Sequence, residues 1–111
     1  MKKYLVIYHA PAEAMAEMAN ATPEQIEAGM KPWMNWKDSV GDKMVDFGSP
    51  LGPGQRILPD GTTQMSTKEV TGYSMVQAND IDEAKSLLMN HPPLQWTGGC
   101  DIEVHEMMPL G

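Results

Sequence analysis

The chemistry open to this chain rests on three histidines, one cysteine, three tryptophans and a surplus of methionine. His9 closes the first apolar run and His105 lies in the last. If those two segments pair antiparallel, His9 comes within reach of Asp101 or Glu103. A carboxylate beside an imidazole favours its charged form and holds one tautomer, which is how a general base is oriented. The plainer alternative is a half-exposed histidine bonded to backbone at a strand end. Trp33, Trp36 and Tyr73, with Met30, Met34 and Met75, can form a soft wall suited to a planar ligand, although tryptophan and methionine at helical spacing also read simply as core. Lys37 falls in the middle of that apolar stripe. It either snorkels near a helix C-terminus, where the dipole favours its charge, or anchors an anionic ligand. His91 stands at the end of a second helical segment, where unpaired carbonyls favour a cation.

Other chemistries lack their residues. Metal binding needs converging ligands, and no His-x-His or His-x3-His pair exists. The eleven methionines are dispersed rather than gathered in one loop as a copper site requires. Cys100 is the single cysteine, so it has no internal disulfide partner, and Gly98-Gly99-Cys100 offers no second thiol for redox or zinc chemistry. Gly52-Pro53-Gly54 lacks the lysine and the strand-to-helix context of a phosphate loop. No cofactor or metal is expected. Fifteen acidic against eight basic residues give a net charge of −7, which opposes a phosphate backbone and argues against nucleic acid as a partner. No apolar run approaches the ~20 residues that cross a bilayer, so no membrane partner is expected either. The basic start Met1-Lys2-Lys3 precedes an apolar run that ends at His9 and alternates like a strand, which reads as strand one of a cytoplasmic protein rather than a signal peptide.

With 111 residues the chain holds one domain. Residues 3–9 alternate Tyr4, Val6 and Tyr8 on one face with Leu5, Ile7 and His9 on the other. Both faces are largely apolar, so helices are expected on one and a partner subunit on the other. Residues 10–21 carry only a weak helical pattern. Thr22, Pro23 and Gln25 form a helix start with a capping box. In the helix that follows, Ile26, Met30, Trp33 and Val40 fall within about 80° of one another, flanked by Met34 and Trp36. That stripe is expected to face the core, with Glu24, Lys31, Asn35 and Asp38 solvated, a kink between Ala28 and Pro32, and a stop at Gly41. Met44–Phe47 reads as a short strand, and the Gly- and Pro-rich stretch after it as an excursion or small hairpin turning at Asp60-Gly61. Gly72–Ala78 is a third strand. Asp80 and Glu83 suggest a second capping box, opening a helix with Ile81, Ala84, Leu87 and Leu88 inward, and Asp101–Met108 is the last strand. The order strand, helix, strand, strand, helix, strand matches the ferredoxin-like split βαβ motif, an α+β fold with an antiparallel sheet.

The segments YLVIYH, TPEQIEAGMKPWMNWKDSVGDKMVDFGSPLGPG, STKEVTGYSMVQANDIDEAKSLLMNHPPL and GGCDIEVHEMMP resemble the YCII-related domain family over most of the chain. The closest likeness is to the branch with a strand-one Tyr-His, a tryptophan-rich first helix, an NPLGPG loop and a GYSIVEA strand. The DGPF branch is echoed by Asp60-Gly61 and Thr67-Lys68-Glu69, with Thr62 and Thr63 in place of its Pro-Phe. The resemblance implies a ferredoxin-like domain that forms a homodimer through its sheet face, as a dimeric α+β barrel. Some such proteins are similar to muconolactone isomerase and use a His/Asp pair for acid–base or dehalogenating chemistry. Here Gln25 stands where that histidine would be, and His91, before Pro92, where the aspartate would be. The expectations are therefore two. In the first, a small planar organic molecule binds between helix and sheet against Trp33, Trp36, Lys37, Tyr73 and Met75, and acid–base chemistry falls to His9 or His91. In the second, the chain is a catalytically silent dimeric module for binding or assembly.

Overall fold

A computed structural model describes residues 1–11, 20–67, 69–89 and 100–110. In chain order the elements are β1 (Lys2–His9), α1 (Pro23–Val40), a 3-10 turn (Gly41–Lys43), β2 (Met44–Pro50), β3 (Gln55–Ile57), β4 (Thr63–Met65), β5 (Val70–Ala78), α2 (Ile81–Leu88) and β6 (Asp101–Glu106). Four strands form one sheet in the order β2-β5-β1-β6, every neighbouring pair antiparallel. The fold is α+β, two helices on an antiparallel sheet, and is compatible with a ferredoxin-like architecture. No described helix is long and apolar enough to cross a membrane.

Strand alternation builds the core. Tyr4, Val6 and Tyr8 of β1, with Val76 and Ala78 of β5, point to one face and are buried there against Trp36 and Val40 of α1 and Ala84 and Leu88 of α2. Ala78 and Ala84 have no exposed surface at all, and their small side chains let α2 lie close on the sheet. The Trp36 indole donates to the Leu87 carbonyl at 2.9 Å and so ties the helices together. The Lys43 ammonium meets the Glu83 carboxylate at 2.6 Å and pins the 3-10 turn to α2. Leu5, Ile7, Tyr73 and Met75 alternate to the far face of the sheet, where they stay half-buried. Among the described residues no helix packs over that far face.

Several local expectations hold in the structure. Thr22 caps α1 through its hydroxyl, which accepts from Gln25 N–H, and the Gln25 side chain accepts from Thr22 N–H. Gly41 ends the helix at φ +59°, whereas at the kink expected between Ala28 and Pro32 α1 continues as one helical element. The excursion after β2 is a hairpin, β3 against β4, whose turn is fixed by Asp60 accepting from Thr62 N–H and Thr62 hydroxyl. Other expectations need correction. Asp80 caps α2 by accepting from Glu83 N–H, but the Glu83 carboxylate turns to Lys43 and Asn79, because a lysine within 2.6 Å is a stronger partner than the cap N–H. Ile81, expected inward, is exposed because it sits in the first turn, beyond the edge of the core. The α1 stripe is only half right: Trp36 and Val40 are buried, whereas Ile26 is 55% exposed and Met30 44%. Residues 12–19, which cover most of the weak helical pattern, lie outside the described residues.

Candidate functional site

The exposed half of α1 overhangs a cavity. Its volume is about 610 Å³, and it lies between the first turns of that helix and the end of the sheet where β1 finishes and β5 begins. Ile26, Gly29 and Met30 form its roof, and Tyr8, Trp33 and Phe47 form its walls. Two glycines explain why the sheet leaves room. Gly48 has φ +83°, and a Cβ there would fall 1.7 Å from the Tyr73 carbonyl oxygen. No other residue fits that bulge in β2, where Asp46 accepts from Gly48 N–H. A Cβ on Gly72 would meet both the Ser49 carbonyl and the Tyr8 ring at 3.2 Å. With no side chain at either position, the floor is backbone.

The aromatic walls brace one another. Trp33 packs edge-on against Tyr8, with centroids 5.2 Å apart, and against Phe47 at 6.2 Å. Beneath them the Tyr8 hydroxyl donates to Ser74 Oγ at 2.6 Å, and Ser74 Oγ donates to the Phe47 carbonyl at 2.6 Å. Burial pushes the Tyr8 hydroxyl far above the usual tyrosine range, against a smaller opposing effect of the Ser74 hydrogen bond. Burial, reinforced by the Asp101 charge, also raises the Cys100 thiol, which lines the same cavity. Both groups therefore hold their protons at neutral pH.

No family model matches the chain, and no curated protein matches it.

The residues singled out by sequence are divided by the fold. Trp33 stands in the cavity wall, while Trp36 belongs to the closed core. The Lys37 ammonium lies 5.4 Å from the Phe47 ring centroid, a cation–π contact, rather than at the cavity surface. Tyr73 borders the cavity with its carbonyl against Gly48, but its place opposite Ile7 puts its ring on the far face. Met75, opposite Leu5, is also on the far face and does not line the cavity. His91 lies outside the described residues.

His9 borders the cavity too, yet its imidazole turns away from it. The expected pairing is present: His9 sits opposite Asp101, and its Nε2 lies 3.5 Å from Glu103 Oε2. Glu103 pairs with Ile7 on the far face, and His105 reaches the same carboxylate oxygen at 3.2 Å. The hydrogen bond with His105, then the close approach of His9, holds the Glu103 carboxyl below the usual carboxylate range. Two imidazoles thus share one carboxylate on the side of the sheet opposite the cavity. Among the described residues no three His, Cys, Asp or Glu side chains are arranged to hold a metal ion.

Tyr8, Phe47, Gly48, Gly72 and Cys100 were not read from sequence as parts of a binding wall. The available signal was the pair of glycines inside strand patterns, since a strand glycine marks a bulge or a close backbone approach.

Proposed function

We propose that this protein binds a small planar organic molecule in the cavity between the first half of α1 and the sheet, as a binding module rather than a catalyst acting through His9. The carrying observation is the 610 Å³ cavity walled by Tyr8, Trp33 and Phe47, a volume in the ~300–1,000 Å³ range of small-molecule sites. Binding is favoured over proton chemistry because His9, which borders the cavity, has its Nε2 3.5 Å from Glu103, a residue paired with Ile7 on the far face. In keeping with the resemblance to YCII-related domains, we place the chain with ferredoxin-like proteins that pair through the sheet as dimeric α+β barrels. The half-buried Leu5, Ile7, Tyr73 and Met75 supply the apolar far face that such pairing would cover.

The test is a thermal-shift panel of planar aromatics and lactones on the wild type and on Gly29→Leu. A Cβ at Gly29 meets nothing within 4 Å, so a leucine there grows into the cavity without a clash at its base. A ligand at ~100 times its Kd stabilises by about 2.7 kcal/mol, which raises Tm by on the order of 10 °C in a chain of this size. The wild type should show that rise and the variant should lose it. Equal shifts in both proteins place the ligand elsewhere, and no shift with any compound removes the reading. Light scattering coupled to gel filtration should find the dimer, and a stable monomer at micromolar concentration contradicts the pairing.

A further inference from the structure

The lining of the cavity goes further than shape. Resting on the reading above, we infer that the molecule it takes is electrically neutral and offers a hydrogen-bond donor such as a hydroxyl, rather than the anionic aromatic acid that Lys37 in the stripe would have suggested. Among the described residues no lysine, arginine, aspartate or glutamate lines the cavity. Lys37, the cation that falls within the apolar stripe of α1, is engaged with the Phe47 ring. Outside the described residues, 12–19 and 90–99 contain no lysine or arginine, and Lys68 is the one such side chain. The net charge of −7 adds a field that repels anions.

The hydroxyls on the wall point to the same class. Tyr8 donates to Ser74, Ser49 donates to the Pro50 carbonyl at 3.1 Å, and Thr71 donates to the Tyr8 carbonyl at 3.3 Å. With these protons committed inside the chain, and His9 Nε2 set 3.5 Å from Glu103, the Gln25 amide is the neutral side-chain donor left to meet a carboxylate among the described polar residues of the wall. Burying an ionised group without partners is strongly unfavourable. A ligand hydroxyl instead meets the oxygen lone pairs of Ser49 and Thr71, which remain acceptors. A cationic ligand has two features against it. Among the described residues no carboxylate lines the wall, and the rings that would cage a cation pack edge-to-face with one another, with Lys37 already over Phe47.

The experiment compares three probes of one shape by isothermal titration calorimetry at pH 7: 2-naphthol, 2-naphthoate and 2-naphthylmethylammonium. The naphthol should bind at least about tenfold more tightly than either ion, and Gly29→Leu should abolish that binding. Lowering the pH from 7 to 5 should raise the apparent affinity of the naphthoate about tenfold per unit, in step with its neutral fraction. Naphthoate binding as tightly as naphthol at pH 7 overturns the inference in favour of an anion site while leaving the cavity reading in place. Equal or tighter binding of the ammonium overturns it in favour of an aromatic cation cage. Failure of all three to bind removes the cavity reading and the inference with it.

Discussion

The two halves of α1 carry one apolar stripe and do different work with it. In the C-terminal half Trp36 and Val40 are each 5% exposed, pressed between the sheet and α2. In the N-terminal half Ile26 and Met30 remain 55% and 44% exposed over an open cavity. The helix is continuous, so the cause lies beneath it. Under the buried half stand Val76, Ala78 and the side chains of α2; under the open half lie Gly48 and Gly72, which present only backbone. Amphipathicity therefore dictates which side of a helix turns inward, while the residues opposite decide whether it meets protein or space.

Two tryptophans one turn apart test that contrast most severely. Trp36→Ala removes a buried ring and its hydrogen bond to Leu87, and should cost about 3–5 kcal/mol in denaturant unfolding. Trp33→Ala, at the half-buried wall, should cost about 1–2 kcal/mol and abolish ligand binding. Comparable losses of stability from the two variants would break the distinction between core half and cavity half.

A smaller effect has the opposite sign. Gly29→Leu replaces a poor helix former at an exposed helical position and should stabilise the apo protein by about 0.5–1 kcal/mol while closing the cavity. Chemical denaturation should show the gain, and calorimetry with 2-naphthol the loss. A destabilised variant would mean that the space under Gly29 is already filled.

The smallest effect belongs to the well-packed end. The hydrogen bond from Lys43 holds the Glu83 carboxyl below its ordinary value, so the pair's stabilisation is fully present above the unfolded pKa of ~4.3 and fades as pH falls through the lower folded value. Urea midpoints measured from pH 6 down to pH 3 should fall less steeply in Glu83→Gln than in the wild type. Identical slopes would remove the ion pair from the acid response.

How much of this was legible in the sequence follows the same division. The order of elements, the Thr22 cap, the Gly41 stop and the faces of β1 are local or period-two features, and each appeared where the residues indicated. The approach of His9 to Glu103 followed from antiparallel pairing alone. What could not be read was which side of the sheet serves the cavity: strand parity puts Tyr73, Met75 and His9 together on one face, but the docking of a helix distant in sequence decides that this is the face away from the cavity. Nor could the sequence say that Glu83 would turn to Lys43, a contact between the 3-10 turn and α2 that exists only once both have docked.

The central claim is that a ligand sits under the first half of α1, and the methionines report on it directly. Met30 lines the cavity, Met44 packs against the core, and Met75 lies on the far face of the sheet. In a protein labelled with 13C at its methionine methyl groups, titration with 2-naphthol should move the Met30 resonance saturably and leave Met44 and Met75 in place. A saturable shift of Met75 with Met30 unmoved would put the ligand on the other face of the sheet and contradict the account.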